Sequence, residues 1–208
     1  MLISFPKRFV FVHIPRCAGN AVTQALQPFC TRGPWEGDRE SKHFSVLQIQ
    51  NHFLDQARWK QFYSFAITRN PWDQIHSDFF YTRSFIRQTE GIIDQTWVAK
   101  IRRCASISFD KFVELRCEGE PCSLVQYYCL DQNQELAVGE VLAYEELAEQ
   151  WPRLCERLGI PNAHLAPINQ TKQSGKRRQN YRLAYSRKSR ELVAEHFRYD
   201  IEKFGYQF

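Results

Sequence analysis

The segment Phe9-Val10-Phe11-Val12-His13-Ile14 constrains this chain more than any other. It is a continuous apolar run of β-branched and aromatic residues, which suits a strand buried on both faces of a parallel sheet. Pro15 stops it. After a short turn a helical pattern begins, with Val22, Ala25, Leu26 and Phe29 sharing one face. The same order recurs downstream. Phe62 to Ile67 is a second buried strand, and Pro71 fits the first turn of a helix that runs to about Ser84.

Between and beyond these units the pattern is mostly helical. Trp35 to Lys42 is a polar loop. Ser45 caps a helix to about Arg58, with Val46, Ile49, Phe53 and Leu54 inward. Gly91 to Cys104 and Phe109 to Arg116 read as helices, the second capped by Ser108. Cys122 to Leu130 and Glu135 to Tyr144 are expected to pair as strands around Asp131-Gln132-Asn133. Glu145 to Leu158 is a helix closed by Gly159 and Pro161. Lys172 to Arg182 is loop-like, and Ser186 caps a final helix with Leu192, Val193, Phe197, Ile201 and Phe204 inward. Strands separated by helices predict an α/β fold with a central parallel sheet flanked by helices. No repeat or low-complexity linker divides the chain, so residues 1–208 are expected to form a single domain.

Composition narrows the class. Hydrophobic residues make up 43% and aromatics 14%, enough for a packed core and unlike a disordered chain. The net charge of +5 is mild overall but local. Between Thr171 and Arg190 stand Lys172, Lys176, Arg177, Arg178, Arg182, Arg187, Lys188 and Arg190, with no acid among them. Such a block is a solvated face or the partner of an anion; by charge alone RNA, a membrane surface or an anionic nucleotide all suit it. The seven cysteines are irregularly spaced with no Cys-x-x-Cys pair, which argues against a zinc ribbon and for buried thiols in a reducing compartment. No apolar run is long enough to span a membrane, and the chain is expected to be cytoplasmic.

Two constellations carry chemistry. The loop His13-Ile14-Pro15-Arg16-Cys17-Ala18-Gly19-Asn20-Ala21 joins the first strand to the first helix. At such a junction free backbone N–H groups and the helix dipole attract anions. Ala18 and Gly19 allow close backbone approach, and Arg16 adds a full charge and a fork of donors. The nucleoside-triphosphate pattern G-x-x-x-x-G-K-[ST] is absent. Further on, Arg69-Asn70-Pro71-Trp72-Asp73 ends the second strand, and Ser77 follows eight residues after Arg69. An Arg at a strand end and a Ser along the next helix can grip one phosphate from two sides. Taken alone, each constellation is equally an ordinary turn with a surface Arg.

Together, in this order, they resemble a known family. His13-Ile14-Pro15-Arg16-Cys17-Ala18-Gly19 resembles the 5′-phosphosulfate loop of carbohydrate-type sulfotransferases that use 3′-phosphoadenosine 5′-phosphosulfate (PAPS), and Arg69-Asn70-Pro71-Trp72-Asp73 with Ser77 looks like their 3′-phosphate motif. Leu154 to Ile160 and Glu202 to Tyr206 extend the likeness weakly over nearly the whole chain. The resemblance implies a P-loop-like three-layer fold, PAPS as co-substrate and no metal. It implies that Arg16 stabilises the bridging oxygen and 5′-phosphate, and that Cys17, Ala18, Gly19, Asn20 and Ala21 supply backbone N–H groups. Arg69 and Ser77 would hold the 3′-phosphate, and Lys172, Lys176 and Arg177 would belong to a basic loop over the nucleotide. Three positions depart from the family pattern: Arg16 stands where Lys is usual, Asn20 where Thr or Ser is usual, and Gln74 where Arg is frequent. Arg keeps the charge but does not readily donate a proton, so the leaving-group acid role is in question and donor binding is not.

An acceptor hydroxyl needs a base. His43, in the loop before the second helix, is the first candidate because an imidazole titrates near neutral pH. Glu36 and Asp38 are alternatives, and a plain surface or capping role for His43 is equally open. His13 reads as structural. Trp35, Trp72 and Trp97 are core residues or the lining of an acceptor pocket. The expected partner is a small-molecule or glycan acceptor, not nucleic acid or membrane. Two other classes remain: a nucleotide or small-molecule kinase of the same broad fold, and a non-catalytic binder of nucleotide or nucleic acid using the Lys172–Arg190 block.

Overall fold

The run around Phe9 forms the strand its composition predicts. A computed structural model describes residues 1–33, 40–84, 106–161, 163–166 and 180–208. In chain order the described elements are β1 (Leu2–Ser4), β2 (Phe9–Val12), α1 (Gly19–Leu26), α2 (Val46–His52), α3 (Gln56–Trp59), β3 (Tyr63–Thr68), α4 (Pro71–Ser84), α5 (Phe109–Arg116), α6 (Leu124–Cys129), β4 (Glu140–Ala143), α7 (Leu147–Arg157), α8 (Arg187–His196) and α9 (Arg198–Phe204). They divide into two compact units: Met1–Arg69 with Leu124–Gln170, and Asn70–Ser123 with Thr171–Phe208.

The first unit holds the sheet. Its strand order is β1-β2-β3-β4. β2 pairs with β3 and β3 with β4 in parallel, with Phe11 opposite Phe65 and Phe65 opposite Glu140; β1 joins the edge antiparallel to β2. Every residue of β2 is buried, as are Ser64 to Thr68 of β3, which is why these strands read as unbroken apolar runs. Phe9, Phe11 and Phe65 are wholly buried, and Phe11 stacks on Phe65 with ring centroids 5.1 Å apart. Each such ring contributes on the order of 2–3 kcal/mol by leaving water. This is an α/β fold with a mostly parallel sheet flanked by helices.

Several expectations need correction. Leu124–Cys129 is helix α6, not a strand, so the expected hairpin reduces to an isolated bridge between Leu130 and Leu136. Val125 and Cys129, four residues apart, are its buried positions, which is helical and not strand spacing. The second half of that hairpin, Glu140–Ala143, instead forms β4 parallel to β3. The helix from Ser45 breaks after His52; Ser45 and Gln48 form a reciprocal capping box at its start, and Asp55 caps the separate α3. The final helix is likewise split at Phe197. β1 is a strand that three residues of sequence gave no basis to expect.

The second unit is helical among the described residues. Asn70 starts α4: its Oδ1 accepts from the Trp72 N–H at 3.1 Å, and Pro71 takes the first helical position, where no N–H is needed. Ser108 and Ser186 cap α5 and α8 as expected. The expected helix Gly91 to Cys104 lies outside the described residues.

Candidate functional site

The loop between β2 and α1 has an unusual backbone. Arg16 and Ala18 both occupy the left-handed region, at φ 67° and 57°, and Cys17 between them does not. Left-handed conformation costs a residue with a Cβ on the order of 1–3 kcal/mol. Where right-handed helical residues alternate with left-handed ones, successive N–H groups turn to one side and make a concave anion-binding nest. The loop ends at the start of α1, where Gly19 and Asn20 carry N–H groups with no helical acceptor preceding them. Ala21 differs from the expectation in one respect: its N–H already donates to the Ala18 carbonyl at 2.9 Å, which also accepts from Val22. The Cys17 side chain points inward, 1% exposed, with Sγ 3.5 Å from the Pro15 carbonyl.

His13 explains why Gly19 is glycine. A Cβ at position 19 would lie 1.7 Å from His13 Nε2 and 1.9 Å from Cδ2. The imidazole therefore occupies the volume of that missing carbon. It stacks on Phe11 at 5.6 Å and is 3% exposed, and its Nδ1 has no hydrogen-bond partner among the described residues. Burial, with the neighbouring His43, holds its pKa well below the ordinary histidine value.

His43 ends a 3₁₀ turn, Glu40–His43, and its ring lies 4.5 Å from that of His13. Its Nδ1 is 3.0 Å from the His13 carbonyl oxygen. A carbonyl only accepts, so Nδ1 carries the hydrogen, and in the neutral ring Nε2 holds the lone pair. Desolvation lowers the His43 pKa, opposed by that hydrogen bond and aided by Lys42 and the amino group of Met1. The result is a half-buried imidazole, oriented by backbone, that keeps a basic nitrogen at neutral pH.

Arg69 follows β3 and is 6% exposed. Its Nη1 donates to the Arg16 carbonyl at 2.9 Å, and its guanidinium lies 4.1 Å from the ring centroid of Tyr144. The first unit thus brings together the loop, His43 and Arg69. Ser77 lies half-buried in the second turn of α4, within the second unit. Lys172, Lys176, Arg177, Glu36, Asp38, Trp35 and Trp97 lie outside the described residues. Trp72 is core-like, 4% exposed, with its indole N–H on the Arg190 carbonyl at 3.0 Å. His76 packs edge-on against Phe80 and Phe109.

Sequence reasoning passed over Tyr144. Tyr144 ends the expected strand Glu135 to Tyr144, and residues just past the C-terminal ends of parallel strands are where such sheets bind ligands.

A mostly parallel sheet whose strand β2 leads through this loop into α1 defines an α/β protein. The model of the sulfotransferase family matches residues 1–207, and the chain belongs to that family. No curated protein and no solved structure matches it. Among the described residues no group of three or more His, Cys, Asp or Glu side chains could hold a metal ion, and no helix is long and apolar enough to cross a membrane.

Proposed function

We propose that this protein transfers a sulfuryl group from PAPS to a hydroxyl or amine of a small metabolite or glycan, on a P-loop-like α/β scaffold and without a metal. The observation that carries the reading is the pair of left-handed residues Arg16 and Ala18, read as an anion-binding nest, with the buried Arg69 on the Arg16 carbonyl. The nest fits the 5′ end of the donor. N–H groups of the loop and of Gly19 and Asn20 receive its phosphosulfate oxygens, and Arg16 neutralises charge building on the bridging oxygen. Arg69 takes the 3′-phosphate; Ser77 joins it on the strength of the sequence motif.

The transfer runs in line. The acceptor oxygen or nitrogen attacks sulfur, the bond from sulfur to the bridging oxygen breaks, and 3′-phosphoadenosine 5′-phosphate (PAP) departs. The acceptor proton passes to Nε2 of His43, whose geometry suits a base. Arg16 holds its proton throughout and acts by charge. A cytoplasmic location belongs to the same reading.

Calorimetric titration with PAP in the absence of metal, beside ADP and ATP, tests this. Micromolar PAP binding that is much weaker for ADP and lost in Arg69→Ala is the expected result. PAP binding no better than ADP would overturn it and favour a kinase or a nucleic-acid binder.

A further inference from the structure

A guanidinium is a plane, and contacts of two different kinds help to orient that of Arg69. The Tyr144 ring, 4.1 Å away, holds one face. The Arg16 carbonyl, 2.9 Å from Nη1, holds one edge. Tyr144 can do this because β4 runs parallel to β3 in register, pairing Thr68 with Ala143, so the residues that follow each strand emerge side by side. Arg69 is itself 6% exposed, with little room to swing. A planar fork recognises a phosphate through the direction of its N–H bonds, so aiming it before the ligand arrives raises affinity without a new contact.

We propose that Tyr144 is a positioning residue that pre-aims Arg69 and thereby sets the preference for nucleotides bearing a 3′-phosphate. The proposal rests on the donor reading above, in which Arg69 meets that phosphate. Tyr144 acts through its ring face and needs no hydroxyl for the purpose. Removing the ring takes away the support on one face and loosens the aim of the guanidinium, and the loss falls mainly on the phosphate it was aimed at. Binding through the 5′-phosphate changes less.

The test compares PAP with adenosine 5′-monophosphate (AMP), which is PAP without the 3′-phosphate, by calorimetry on wild-type protein, Tyr144→Leu and Tyr144→Phe. In Tyr144→Leu the ratio of PAP to AMP affinity is expected to fall roughly tenfold, the scale of a desolvated cation–π contact. Tyr144→Phe keeps the wild-type ratio. A role in folding alone lowers both affinities together and leaves the ratio unchanged, which overturns the proposal, as does a Tyr144→Phe variant that behaves like Tyr144→Leu. If Tyr144→Leu does not fold, Tyr144→Met keeps an apolar side chain without a ring and gives the same comparison. Wild-type protein that fails to prefer PAP over AMP removes the donor reading itself, and the inference with it; a wild-type preference retained in Tyr144→Leu removes the inference alone.

Discussion

At the scale of single residues, the contact between His13 and Gly19 is the tightest constraint on the site. A methyl group at position 19 would overlap the imidazole of a side chain that is itself buried. Gly19→Ala is expected to destabilise the protein by about 1–3 kcal/mol, as overpacking does, and to weaken PAP at least tenfold by displacing the first turn of α1. Urea unfolding and calorimetry read the two effects. His13→Ala placed in the Gly19→Ala background should recover much of both, because it empties the contested volume. The sequence offers close approach to an anion as the reason for Gly19, but it could not show that a histidine six residues earlier demands a glycine. Nor could it show the tautomer of His43, since the acceptor is a backbone carbonyl thirty positions away. Arg69 was legible as an Arg at a strand end; its hold on the Arg16 carbonyl depends on two parallel strands ending together.

At the scale of elements, most boundaries followed from local chemistry. α4 spans Pro71–Ser84 and α5 Phe109–Arg116, as caps and periodicity indicated. The failure at Leu124–Cys129 has a clear cause: aromatic and β-branched residues favour strands, yet tertiary packing selected the helix that buries Val125 and Cys129 together. Asn70 shows how one residue joins elements. Its Oδ1 accepts from Trp72 at the start of α4, while Nδ2 donates to the Gln207 carbonyl at 2.8 Å, far along the chain. Nδ2 also lies 3.5 Å from the Tyr181 hydroxyl, and Asn70→Ala, which loses these bonds, is expected to cost about 1–2 kcal/mol in urea unfolding. Asn70→Asp keeps the cap but sets a carboxylate against a carbonyl, so it should recover only part of that loss.

At the scale of the whole molecule, three histidines make stability depend on pH. Burial lowers the pKa of His13, His43 and His196 in the folded chain. The unfolded chain, with ordinary values near ~6.5, then binds more protons than the native one as pH falls. Stability should hold at and above neutral pH and decline as pH drops through ~6.5, well before the carboxylates protonate near ~4. Urea midpoints measured from pH 8 to 5 check this, and His13→Phe, which keeps an aromatic ring but has no proton site, should flatten the slope. The α/β class and the sulfotransferase family were legible in the sequence. The division into two units was not, because each is assembled from segments separated in sequence: Met1–Arg69 with Leu124–Gln170, and Asn70–Ser123 with Thr171–Phe208. That interleaving has a consequence for recombination. Any single recombination point, wherever it falls, divides at least one unit between two parents. Chimeras joined at one point are therefore expected to test packing inside a unit, not only the joining of two units.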